Sequence, residues 1–98
     1  MKLPDECNNI QEIRTEIDYL DRELIKTIGT RFAYVKAATK FKTDETSVKA
    51  PERFKAMLEQ RRVWAVEEGL NPEIIEQLYR DLVNYFIDEE LKDWQRDR

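Results

Sequence analysis

Five side chains in this sequence have types and spacings that allow chemistry: Arg14, Arg31, Lys42, Arg53 and Glu90. Arg31 sits in the run Leu24, Ile28, Arg31, Val35, Ala38, whose 4-3-4-3 spacing marks one buried face of an α-helix. A guanidinium has fixed donors, stays charged at physiological pH and is costly to desolvate without a partner. Arg31 therefore calls for an anion inside the fold, either an acidic side chain or a ligand. Arg14 repeats the pattern between Ile10 and Ile17, and Glu90 repeats it with opposite sign among Phe86, Ile87 and Trp94. Taken together, these residues describe a cationic, apolar-walled site for a small anion. Taken singly, each has a plainer reading: an inward arginine usually rests on a carboxylate, and the chain offers 21 acids, Asp18 and Asp21 among them. Arg53 near a helix start can be a solvated side chain, and Glu90 can simply pair with a local Arg or Lys.

The elements that must position these groups are helices. Only two glycines and three prolines interrupt 98 residues, of which 39% are charged and 41% hydrophobic. The periodicity predicts an all-α fold of three helices over about residues 9–41, 51–68 and 72–96, joined by a polar surface loop over 42–50. One domain over residues 1–98 is expected. Asn8 or Asn9 caps the first helix, Pro51 opens the second, Gly69 closes it with Leu70 beyond, and Asn71-Pro72-Glu73 opens the third. Phe54, Met57, Leu58, Arg61 and Ala65 mark the inner face of the second helix, and Ile75, Leu78, Leu82, Phe86 and Ile87 that of the third. Gly29 lies inside the first helix, where close packing against a neighbour is the expected reason for it.

Length leads to an oligomer. A helix over residues 9–41 is about 50 Å long, whereas a domain of this size is only about 33 Å across. The first helix overshoots its own domain, and its apolar stripe needs a cover, most simply a second copy. The alternative is a kink near Gly29 that folds the helix into a monomeric bundle. Along a straight helix Arg14 and Arg31 stand about 25 Å apart and Arg31 and Lys42 about 17 Å, so one small ligand does not touch both arginines of one chain. In an antiparallel homodimer Arg14 of one chain approaches Arg31 of the other.

The net charge of −4 argues against nucleic acid and anionic membranes as partners. Cys7 is the single cysteine and there is no histidine, so an intrachain disulfide is excluded and zinc disfavoured. The start MKLPDECNN lacks the apolar core of a signal peptide, and no apolar run approaches the roughly 18 residues of a membrane span. A cytoplasmic protein without a metal or cofactor is expected.

The pattern Ile13-Arg14, Ile17-Asp18, Arg31, Val35-Lys36 and Phe41-Lys42 resembles the all-helical chorismate mutase superfamily. Ala50-Pro51-Glu52-Arg53, Trp64 with Glu67-Glu68-Gly69-Leu70, and Glu90-Leu91-Lys92 before Trp94 look most like its isochorismate-pyruvate lyase branch, which makes salicylate for siderophores. The resemblance spans essentially the whole chain. It implies an intertwined homodimer of three-helix subunits with two shared active sites for a small dicarboxylate, isochorismate or chorismate. By that resemblance Arg14 reaches in from the partner to bind a substrate carboxylate. Arg31 grips the enolpyruvyl carboxylate, and Lys42 meets substrate oxygens from the edge of a mobile loop. Val35, Met57, Phe86 and Ile87 form walls, and Arg53 stands near the site.

Two positions depart from the family pattern. Glu90 stands where bacterial relatives usually carry glutamine, although some relatives, fungal mutases among them, have glutamate. Phe54 replaces a glutamate that many true mutases use on a ring hydroxyl, which favours the lyase branch. The implied reaction is a pericyclic elimination with weak mutase activity beside it. Such a step needs no nucleophile, metal or strong base, only a held conformer and donors at the breaking ether bond. Glu90 must be protonated to be such a donor; burial favours the neutral acid and nearby cations the carboxylate. The rival readings are a chorismate mutase making prephenate and, from a different class, a non-catalytic helical dimer serving as an interaction module.

Overall fold

The computed structural model describes residues 1–96; the last two residues of the expected 1–98 domain lie outside the described residues. A short 3-10 turn, Pro4–Glu6, precedes four helices: α1 (Ile10–Thr39), α2 (Glu45–Lys49), α3 (Pro51–Glu67) and α4 (Pro72–Arg96). Among the described residues there is no strand, so the all-α expectation with three long helices and a long first one holds. The chain divides into two compact units, Met1–Tyr34 and the residues from Val35 onward, and α1 is continuous through the boundary.

In the first unit the start of α1 is fixed by reciprocal caps. The Glu12 backbone N–H donates to Asn9 Oδ1 at 2.9 Å, and the Asn8 N–H donates to Glu12 Oε2 at 2.8 Å. The Asn8 N–H, and after it Lys2 with its Nζ 2.9 Å from Glu12 Oε1, hold the Glu12 carboxyl below the ordinary carboxylate range. The apolar stripe of this unit stays uncovered within the chain. Ile10, Ile17, Leu20 and Leu24 are all exposed, Leu24 to 57%. Gly29 departs from expectation: a Cβ built there meets nothing within 4 Å, so no neighbour in the chain requires its bareness.

In the second unit α3 and α2 both pack on α4. Its core is Val48, Met57, Leu58, Ala65 and Phe86. Arg62 and Arg80 both reach Glu76, at 3.4 and 3.3 Å, which ties α3 to α4. Arg61, read as an inner-face residue, lies over the rings of Trp64 and Tyr79, 4.6 and 5.6 Å from their centroids. The α3–α4 turn closes as expected. Gly69 takes φ +74°, and the Leu70 N–H reaches the Ala65 carbonyl at 2.8 Å while the Gly69 N–H reaches Val66 at 3.1 Å, a Schellman pair. Leu78, expected inward, is half-exposed.

The 42–50 segment corrects the sequence reading. It is not a plain surface loop: Asp44 accepts from the Ser47 N–H at 2.7 Å and opens α2, and Val48 is buried to 1% exposure under it. A five-residue helix carries a single inward apolar residue, too few to display a period. Its Asp44 cap was the available signal. The first helix also stops at Thr39 rather than near Phe41, because the Phe41 and Lys42 N–H groups turn back onto the Ala38 and Thr39 carbonyls at 3.0 and 3.1 Å. Between α2 and α3, Ala50 adopts a left-handed conformation with φ 41°, a costly choice for a residue with a Cβ.

Candidate functional site

A buried polar cluster of the second unit is built from the end of α1, the turn after it, and α4. Two i→i+3 turns after Thr39 carry Lys42 off the helix. Its Nζ lies 3.0 Å from Glu90 Oε2. The Thr39 hydroxyl donates to the same oxygen at 2.9 Å and lies 3.2 Å from the Val35 carbonyl, its helical back-bonding partner. Glu90 is 3% exposed, the buried charged residue of a core otherwise made of Val48, Met57, Leu58, Ala65 and Phe86.

The electrostatics follow from this burial. An isolated carboxylate in that core is expensive, and the Lys42 ammonium offsets the cost directly. Lys42 keeps donors in reserve: an ammonium has three, and one is committed to Glu90. Both contacts fall on Oε2, so one oxygen of the acid is held from two sides, by the ammonium and by the hydroxyl. Such a pair can supply a cation and, when Glu90 is protonated, a neutral hydrogen-bond donor side by side.

The other sequence-derived residues fall as follows. Met57 and Phe86 are buried in the same unit, and Val35 is half-buried beneath Thr39. Ile87 is also half-buried, but it lines a groove of about 690 Å³ between α3 and α4 with Phe54, Leu58 and Leu91; among the described residues neither Lys42 nor Glu90 is on that wall. Arg53 is exposed on the first turn of α3. Arg14 and Arg31 belong to the other unit: Arg14 is exposed, with no side-chain hydrogen bond or ion pair among the described residues, and Arg31 is half-buried. Of the predicted set, then, Lys42 and Glu90 are joined directly. The sequence reading missed Thr39, a helical threonine whose only signal was its place three residues before Lys42.

No group of residues able to hold a metal ion occurs among the described residues, and no helix there is long and apolar enough to cross a membrane.

The comparisons with known proteins agree with this architecture. The profile of chorismate mutase type II matches residues 13–91. An isochorismate pyruvate lyase of Pseudomonas aeruginosa is 40% identical over 98 residues, all of this chain and 97% of that protein. The T-protein of Haemophilus influenzae is 39% identical over 72 residues, 72% of this chain and 19% of that longer protein. With three long helices, a match from Ile13 through Leu91 that includes Arg14, Arg31, Lys42 and Glu90, and full-length similarity to a lyase of this type, the chain belongs to the chorismate mutase type II family.

Proposed function

We propose that this protein is an isochorismate-pyruvate lyase that works as a homodimer, releasing pyruvate and leaving salicylate, with weak chorismate mutase activity in the same pocket. The observation that carries the reading is the buried Lys42–Glu90 pair at 3.0 Å, set on a framework similar over its full length to a lyase. The ether bond breaks, the ring hydrogen moves to the enolpyruvyl methylene, and the ring becomes aromatic, all within one substrate molecule. No external base, oxidant or nucleophile enters the balance. The protein's part is to hold the reactive conformer and to stabilise charge on the departing oxygen.

In this reading Arg31 binds the enolpyruvyl carboxylate, and Arg14 of the second copy binds the other carboxylate, each by bidentate pairing. Lys42 turns part of its donor set from Glu90 to the ether oxygen, and protonated Glu90 donates beside it. Met57, Phe86 and Val35 keep water away, and Arg53 adds positive potential at the rim. The uncovered stripe of α1, Ile10, Ile17, Leu20 and Leu24, supports the homodimer because a second copy would bury it. The product suits a place in siderophore assembly, and the lone Cys7 suits a reducing cytoplasm.

Incubating pure protein with each substrate, beside a sizing column, tests this. Isochorismate should yield fluorescent salicylate at a rate well above prephenate formation from chorismate, from a particle of two chains. Prephenate as the faster product would make the protein a mutase, and no product from either would leave a helical interaction module.

A further inference from the structure

Two features of the first unit have no part in the proposed reaction: the arm that precedes α1, and the ring of Tyr34, which is 75% exposed. We infer that they belong together across the dimer, the arm and α1 of one chain forming a clasp that receives Tyr34 of the second copy. The clasp rests on the two-copy reading and sets the register in which Arg14 meets Arg31.

The arm has a fold of its own. The Glu6 N–H donates to the Leu3 carbonyl at 2.9 Å, and the Leu3 N–H donates to Glu6 Oε1 at 2.7 Å, which closes the Pro4–Glu6 turn. Lys2 Nζ, 2.9 Å from Glu12 Oε1, ties the arm to the first turn of α1. Between the two lies a cleft of about 300 Å³, with Leu3, Pro4 and Cys7 on the arm side and Ile13, Ile17 and Leu20 on the helix side. That volume equals about ten waters. Apart from Lys2 and Glu16 its walls are apolar, so one large apolar side chain suits it better than water.

The spacing along α1 identifies that side chain. Arg14, Ile17, Leu24, Ile28 and Arg31 lie on one seam of 4-3 spacing, and Ile13, Leu20, Thr27 and Tyr34 recur every seven residues along its flank. A two-fold axis between antiparallel helices leaves each flank on its own side, so this flank meets the same flank of the second copy. Tyr34 is three residues beyond Arg31. With Arg31 set against Arg14, it therefore stands opposite Gln11, three residues before Arg14. A helical side chain leans toward the N-terminus of its own helix. In the antiparallel mate that direction runs from Gln11 toward Ile13 and Ile17, the helix side of the cleft. The cleft is also continuous with the uncovered stripe, since Ile17 belongs to both. One approach of the second copy covers the stripe and fills the cleft.

Each dimer has two such clasps and buries two rings. Tyr34→Ala should therefore weaken the dimer about a hundredfold, roughly tenfold for each ring. Tyr34→Phe keeps the ring and should match the parent. Dissociation on dilution, followed on a sizing column, reads both.

The second arm of the test is a cross-link. Leu20, the wall of the cleft nearest to Tyr34 along its own helix, is about 21 Å from it. A disulfide spans at most about 7 Å between Cα atoms. A bond between Cys7 and a cysteine at position 34 therefore joins two chains. Tyr34→Cys, oxidised at a concentration where it runs as two chains, should give a covalent dimer on a non-reducing gel, its 7–34 linkage identified by peptide mass. Ala33→Cys, one residue earlier and turned about 100° away, should give little of it. A two-chain Tyr34→Cys protein without the linkage, equal linkage in Ala33→Cys, or a Tyr34→Ala dimer as tight as the parent would overturn the clasp alone. A parent that runs as a single chain would overturn the clasp and the shared site together.

Discussion

Lys42 Nζ lies 3.0 Å from Oε2 of Glu90, and the Glu90 side chain is only 4% exposed whereas that of Lys42 is 22% exposed. The acid is locked in the core and the base has room to move. That asymmetry makes Glu90 the fixed member of the pair and Lys42 the member able to turn to a ligand.

The first prediction concerns the acid itself. Glu90→Leu removes the partner of Lys42 and any donor at this position, and kcat should fall about tenfold or more, whereas Glu90→Gln keeps the shape and a donor and should retain most of the turnover. Rates for the two variants beside the parent check this; a leucine variant as active as the parent would remove Glu90 from the chemistry.

Removing the cation should cost both stability and rate. Lys42→Met leaves a buried acid without its ion pair, and urea unfolding at neutral pH should report a loss of about 2 kcal/mol. Turnover should fall by about 10²–10³-fold, the usual loss for one donor at a developing oxyanion. A variant as stable as the parent would mean that the pair adds nothing to the fold.

Ala50 offers a stabilising change. Its φ of 41° lies in the left-handed region, where a Cβ costs about 1 kcal/mol or more and glycine none. Ala50→Gly should therefore raise the melting temperature with little change in kcat, and Ala50→Val should lower it. A fall in both variants would mean that the Ala50 methyl contributes packing worth more than the strain.

The α2 cap should be acid-sensitive. The Ser47 N–H bonded to Asp44 holds its carboxyl below the ordinary value of 3.8. A group depressed in the folded state contributes stability above its unfolded value, and that contribution is lost as pH falls through the folded one. Amide exchange of residues 45–49 should therefore quicken below about pH 4 in the parent. In Asp44→Ala it should be fast at every pH; equal protection in the two proteins would discount the cap.

Much of this was legible in the sequence, for identifiable reasons. Asn9, Pro51, Gly69 and Pro72 act locally, so their types alone set the helix ends they were assigned. Glu90 stood out because a charge among Phe86, Ile87 and Trp94 breaks an apolar pattern, whereas Lys42 by itself carries little signal and rested on its spacing from Arg31 and on the resemblance at Phe41-Lys42. The pairing between them did not stand out, since 48 residues separate them and only the fold brings α4 to the end of α1. Helix α2 escaped because one buried side chain, Val48, makes no period. Thr39 escaped because a threonine in a helix ordinarily bonds its own backbone, as Thr15, Thr27 and Thr30 do here. Gly29 finds no explanation within the chain.

The proposed shared site is tested most directly by complementation. Arg14→Ala and Arg31→Ala are each prepared, then unfolded together in equal amounts and refolded. If every site takes Arg14 from one chain and Arg31 from the other, each variant alone is inactive, and a mixed dimer has one intact site and one lacking both arginines. Random mixing should then recover about a quarter of the parent activity. A mixture no more active than its parts, or a parent that sediments as a single chain with full activity, would contradict a site built from two copies.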